Sequence, residues 1–448
     1  MDAFSFTART PFVTRAGRTA MAIVLTAAYC FAGSAAGTAA QSTQDHDAAV
    51  RALMNEPGVR QAFDLIESND AQTMVDLRTL TEIPAPPFME EERGRAFLGM
   101  LLEVGVDSAW VDEVGNVIGL RRGTGNGPVL ALAGHLDTVF PEGTDVTIRV
   151  QGDSLLAPGI ADDTRGLAAV LAVLRALNEA GVRTAGDILF IGNVGEEGLG
   201  DLRGVKHLFR EGGPRIDTFI SIDGTGAEGI THMGLGSHRY RVTFKGPGGH
   251  SWGAFGLANP GHALGRAVRY FQDGADPFTR DAEFRTSYNV GRLGGGTSVN
   301  SVPFEAWMEI DMRSEGVETL LGVDAILQEA IQRALREEND LRRRGDPLTV
   351  DVDMIGDRPS GEISEDHDFV QTAAAVTRAL GLQPRFGRSS TDSNTPISLG
   401  IPAITIGGGG EGFGAHSLHE GFRNVAGHVG VQRALLIVLS QVGLARTS

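Results

Sequence analysis

Short apolar runs alternate with stretches of helical spacing along much of this chain. Val129–Ala133, Ile188–Val194 and Phe219–Ile222 are nearly continuous apolar runs, the pattern of buried strands. Leu167–Glu179 is apolar at helical spacing and closes at Gly181. Upstream, the periodicity predicts one helix over Val59–Leu80, stopped by Pro84, Pro86 and Pro87, and another over Glu90–Glu103. Residues 41–60 are polar and Ala-rich and read as a loosely held entry segment. Strands alternating with helices predict an α/β layer with a mixed, largely parallel sheet.

The pattern changes near Ser237. Strands are predicted over Arg239–Lys245, Thr286–Leu293, Ala306–Met312 and Leu348–Ile355, with helices over Pro260–Phe271 and Val317–Arg342. Their order is β-α-β-β-α-β, the ferredoxin-like α+β arrangement. After Asp357 the α/β pattern returns, with a helix over Phe369–Leu380, a strand over Ala403–Ile406 and a final helix over Val425–Leu444. A first domain, residues 41–236 and 357–448, is therefore expected to be interrupted by a second, residues 237–356.

The first 40 residues stand apart. Arg9, Arg15 and Arg18 precede a mostly apolar stretch from Ala20 to Ala32, and Thr38-Ala39-Ala40 offers small residues before Gln41. This is the pattern of a secretory signal peptide cleaved after Ala40, which predicts a periplasmic or secreted protein with no membrane contact once the signal is gone. The one cysteine, Cys30, falls inside that signal. The mature chain would then have no thiolate ligand and no cysteine nucleophile, so a transition-metal site would draw on His, Asp and Glu. A net charge of −17 argues against nucleic acid or an anionic membrane surface as partner. At 448 residues, 42% hydrophobic and 21% charged, the chain has the composition of a globular protein with room for a large core.

Five short motifs carry candidate chemistry. His135 and Asp137 follow the first apolar strand, and at i and i+2 of an extended segment they face the same way, so Asp137 can steer the His135 ring. Asp162-Asp163 opens the helix beginning near Thr164, where one Asp can cap the helix while the other binds a cation. Glu196-Glu197, between Gly195 and Gly198, sets two carboxylates side by side at a strand end, and a nearby cation would offset their repulsion. One of the pair can ligate while the other takes a proton from water. Asp223 ends another strand, and His416 follows a Gly-rich loop, with His419 an equal candidate by spacing. All five lie where the carboxyl ends of parallel strands would gather them.

In this combination the chain resembles the co-catalytic di-zinc exopeptidases, the family of peptidase T, carboxypeptidase G, aminoacylase and succinyl-diaminopimelate desuccinylase. The resemblance spans roughly residues 70–445. It implies that His135 and Asp223 bind one metal, Glu197 and His416 the other, and that Asp162 bridges both, with a cis bond to Asp163. It implies Glu196 as general base, Asp137 as the partner that orients His135, and two divalent metal ions, zinc first, with cobalt or manganese also fitting the donor set. The insert then corresponds to the family's lid, through which members often dimerise. His250, in Gly246-Pro247-Gly248-Gly249-His250-Ser251, matches the lid histidine that steadies the oxyanion, and Asn300 and Arg313 match lid positions that meet substrate. Asp223 is Glu in the carboxypeptidase and aminoacylase branches and Asp in the peptidase T and dipeptidase branches. The resemblance therefore implies an aminopeptidase or di/tripeptidase acting on short free-amino peptides, with an N-acyl amino acid deacylase or carboxypeptidase as the alternative.

Two rival readings differ in class. Gly249-His250-Ser251-Trp252-Gly253 matches the G-x-S-x-G elbow of serine hydrolases, with Asp392 and His416 downstream in the right order. An elbow passes directly from strand to Ser to helix, whereas here Gly246-Pro247-Gly248 intervenes and no helix is predicted before about Asn259. A non-catalytic binding protein of the same fold would need no Glu196 beside the ligands.

Overall fold

The computed structural model describes residues 43–125 and 127–445, and the signal-peptide pattern lies outside them. Four parallel strands form the middle of the large sheet, in the order Ile188–Asn193, Leu130–His135, Thr218–Ile222, Ala403–Ile406. Each is buried along its length, which explains the continuous apolar runs. Antiparallel strands Val117–Arg121 and Ser108–Val111 extend one side. On the other, Gly229–Gly234 meets Ala403–Ile406 at a single antiparallel pair and carries Arg385–Ser389 in parallel and Gly361–Glu362 antiparallel. The sheet is thus mixed and largely parallel, as the alternation predicts.

Helices Thr164–Glu179 and Gly427–Val442 are buried on almost every side and form the centre of the main core with the sheet. Two expectations upstream are corrected. Residues 43–55 are helical rather than loose: Val50 is buried, and Arg378 grips Asp47 at 2.7 Å. The single helix expected over Val59–Leu80 is two, Pro57–Ser68 and Asp70–Thr81, parted at Asn69. Asn69 leaves helical geometry (φ −92°, ψ 10°) and its side-chain amide donates to Glu179 at 2.7 Å. Ser68-Asn69-Asp70 is a run of short polar side chains that compete for backbone partners, and the apolar period continues across it, so periodicity alone reads through the break.

The second sheet is antiparallel, in the order Thr286–Gly295, Glu305–Ser314, Gly236–Lys245, Thr349–Arg358. Helices Pro260–Asp281 and Val317–Leu341 cover one face, which is the ferredoxin-like arrangement. Along Glu305–Ser314 the alternation is complete. Ala306, Met308, Ile310 and Met312 point into that core, while Trp307, Glu309, Asp311 and Arg313 stay half-buried on the other face. A two-stranded ribbon, Gly249–His250 with Ser301–Val302, projects from this unit.

Candidate metal centre

Five chain segments deliver the acidic and imidazole groups to one place. His135 is the last residue of Leu130–His135, Glu196 and Glu197 follow Ile188–Asn193, and Asp223 follows Thr218–Ile222, so three parallel strands point their carboxyl ends at the cleft. Asp162 precedes helix Thr164–Glu179 through a cis peptide to Asp163. Asp163 is the N-cap. Its carboxylate accepts from the amides of Gly166 (3.1 Å) and His135 (3.1 Å), leaving Asp162 to face the cleft. That resolves which Asp caps.

The two oxygens of Asp162 meet different imidazoles. Oδ1 lies 3.0 Å from His135 Nε2 and Oδ2 lies 3.1 Å from His416 Nε2. His416 Nε2 is also 3.0 Å from Glu197 Oε1. Candidate ligand atoms of His135, Asp162 and Glu197 lie within 4.8 Å of one another. A cavity of about 400 Å³ opens on Asp162, Glu197 and His416, lined also by Glu196, Asp223, Arg239, Arg313 and Arg358. His416, not His419, is the histidine that reaches the cleft.

Asp137 ties this arrangement together. Its carbonyl lies 3.0 Å from His135 Nδ1, and its two carboxylate oxygens accept from the amides of Glu196 (3.0 Å) and Glu197 (2.8 Å). One residue thus orients the His135 ring and pins the Glu196-Glu197 turn. Gly195 makes the turn possible. Its φ is +72°, and a Cβ there would overlap the Arg203 guanidinium.

The electrostatics follow from crowding. Burial opposes a charge on His135, yet the Asp162 hydrogen bond and the carboxylates of Asp163, Asp162 and Asp137 hold its pKa well above 6.5. Hydrogen bonds to Asp162 and Glu197 push His416 up to about 10. Burial raises the carboxyl of Asp162, but its bonds to His135 and His416 prevail and hold it well below the usual range. Asp223 has no such partner, and burial together with the Asp162 charge lifts it to about 7. Burial raises Glu196 in the same way, against the pull of Arg358.

His250 and Asn300 do not line this cavity. Both are exposed on the two-stranded ribbon region, where His250 Nδ1 accepts from the amides of Trp252 and Gly253. Arg313 does reach the cavity. The serine-hydrolase reading is not assembled. Ser251 is exposed, Asp392 is buried against Asn193 (2.8 Å), and His416 is engaged with Asp162 and Glu197. Two residues escape sequence reasoning. Glu420 is fully buried and accepts from the amides of Gly159 (3.0 Å), Ala161 (2.8 Å) and Asp162 (3.1 Å), fixing the loop that presents Asp162. Arg358 donates to the Glu196 carboxylate at 3.2 Å and to its backbone carbonyl.

Known proteins share both this sequence and this fold. A protein of Pyrococcus abyssi, provisionally named a LysW-lysine/LysW-ornithine hydrolase, is 27% identical over 348 residues, 74% of this chain and 83% of its own. Carboxypeptidase G2 of Pseudomonas sp. strain RS-16 is 28% identical over 320 residues, 67% of this chain and 71% of its own. The solved structure of a tripeptidase from Staphylococcus aureus has the same fold, with a TM-score of 0.67 at 22% identity across 84% of this chain and 99% of its own. The model of peptidase family M20/M25/M40 matches residues 131–439, well over half of the sequence, and with the hydrolase relatives this establishes that the chain belongs to that family of metallo-peptidases and amide hydrolases.

Proposed function

We propose that this chain is an exported metal-dependent exopeptidase that cleaves the amide bond of short peptides. The observation that carries the reading is the division of Asp162 between His135 and His416, with Glu197 beside the second imidazole. A carboxylate whose two oxygens face two separate imidazoles suits a ligand shared by two cations. The donor set of two imidazoles and three carboxylates, without sulfur, fits zinc and also admits cobalt or manganese. His135 and Asp223 would hold one ion, Glu197 and His416 the other, and Asp162 both. Bound ions would supply a polarised scissile carbonyl and a more acidic attacking water.

The chain's own residues do the rest. Glu196 is the group in the cleft placed to take the proton of the attacking water and return it to the leaving amine. Asp137 keeps the His135 ring and the Glu196 backbone in register. The cavity of about 400 Å³ would take a short peptide, and Arg313 on its wall would offer a seat for the peptide's carboxylate. His250 would act at the oxyanion only if a lid movement or a second copy of the chain brings it to the cleft. The N-terminal pattern puts the mature protein in the periplasm or outside the cell.

A second reading has its own support. Three guanidiniums, of Arg239, Arg313 and Arg358, line one cavity, and two sequence relatives carry the names of a carboxypeptidase and of a LysW-lysine/LysW-ornithine hydrolase. The guanidiniums favour a carboxylate near the scissile amide, and the two names favour the alternative of a deacylase or carboxypeptidase over an aminopeptidase. Hydrolysis of matched free-amino and N-acylated peptides, before chelation, after it and after zinc is restored, separates the two. Loss and recovery confined to free-amino peptides supports the peptidase. Recovery confined to N-acyl substrates replaces it with the deacylase or carboxypeptidase. Activity indifferent to chelation overturns the metal mechanism.

A further inference from the structure

The Glu196 turn is held from two sides. From the parallel sheet, Asp137 takes the amides of Glu196 and Glu197. From the other sheet comes Arg358, the last residue of Thr349–Arg358, whose register partner is Ser237 at the start of the insert. Arg358 is 5% exposed. One Nη donates to Glu196 Oε1 and to Ser390 Oγ, both at 3.2 Å, and the other donates to the Glu196 carbonyl. A planar guanidinium that spans a carboxylate and its own backbone carbonyl fixes the rotamer of that side chain, which a flexible ammonium cannot do equally well.

Neighbouring contacts join the same two parts. Arg239 of Gly236–Lys245 donates to the Gly198 carbonyl at 2.7 Å. The Asp357 amide donates to Asp201 at 2.8 Å, and Lys206 bridges Asp201 (2.6 Å) and the Asp357 carbonyl (2.7 Å). Apart from the Lys206–Asp201 pair, these bonds run between the strand ends at the root of the insert and residues 196–206. The turn that carries Glu196 is therefore tied to the insert as well as to the sheet it follows.

We propose that Arg358 is a positioning residue for Glu196, and that through it the orientation of the lid sets the aim of the carboxylate that handles the proton. This rests on the role given to Glu196 above. The competing role for Arg358 is as a seat for the substrate's carboxylate, and the two differ in kinetics. A positioning residue acts on the chemical step, whereas a substrate seat acts on binding.

The test uses the metal-loaded protein and a short peptide that it hydrolyses. In R358A, kcat is expected to fall roughly 10- to 100-fold, with KM changed less than about threefold and metal content per chain unchanged. R358K should recover only part of the loss. In an E196Q background, R358A should cost almost nothing further, because its effect passes through the missing carboxylate. A rise in KM with kcat intact would overturn the proposal and make Arg358 a substrate contact, as would full additivity with E196Q. If E196Q itself keeps the parental rate, it is the role of Glu196 that fails. An inactive E196Q with an unaffected R358A refutes the positioning role alone.

Discussion

The two carboxylate oxygens of Asp137 hold the amides of Glu196 and Glu197, so losing the side chain should loosen that turn, while the backbone carbonyl that meets His135 Nδ1 remains. Asp137→Ala is expected to lower metal affinity or activity about 10- to 100-fold, read by metal titration and steady-state rates. Glu196→Gln should leave metal content intact and reduce kcat by about 100- to 10,000-fold. Glu420 is a structural counterpart. Removing its carboxylate strands three buried amides, and Glu420→Ala should destabilise the fold by ~2–4 kcal/mol in denaturant titration. Protons compete with metal at this centre. Both imidazoles have their pKa raised in the metal-free chain by the carboxylates around them, which favours their protonated forms. Metal uptake near neutrality should therefore release protons, measurable by calorimetry in buffers of different ionisation enthalpy. The sign for stability is that of a raised pKa. The ion pairs of His416 stabilise the metal-free fold in full below 6.5 and are lost as pH rises through about 10.

Single turns and caps decide how the elements present these groups. Gly195 adopts a positive φ against Arg203, so Gly195→Ala should displace the Glu196 turn and depress activity more than it lowers the melting temperature, a contrast that paired rate and melting measurements would reveal. The elements that build the cleft were the legible ones. Leu130–His135, Ile188–Asn193 and Thr218–Ile222 announce themselves because both faces are buried, and their polar residues begin where the strands stop. Gly229–Gly234 was not legible, since its alternating burial leaves only Ile230, His232 and Gly234 inside, too sparse a pattern to read. Arg358 and Glu420 were invisible for another reason. Their partners lie 162 and about 260 residues away in sequence, and a single Arg or Glu carries no local signature of a distant carbonyl or amide. The ribbon with His250 shows the converse, a motif that is plain in sequence and yet does not line the cleft in the folded chain.

Across the whole molecule, one sheet is assembled from segments on both sides of the insert. Ala403–Ile406 pairs in parallel with Thr218–Ile222, His416 meets Asp162, and Glu420 holds the loop before Thr164. If the signal is cleaved after Ala40, the mature protein lacks cysteine, and its melting temperature should be the same with and without reductant. The same arrangement bears on timing. During synthesis four of the five candidate ligands emerge long before His416 and Glu420, so the Asp162 loop has no anchor and the second imidazole is missing until nearly the entire chain is available. A nascent or truncated chain would hold several ligands and no complete centre. This would amount to built-in latency, with amide cleavage withheld until the segment that follows the last strand of the sheet, and carries His416 and Glu420, has docked.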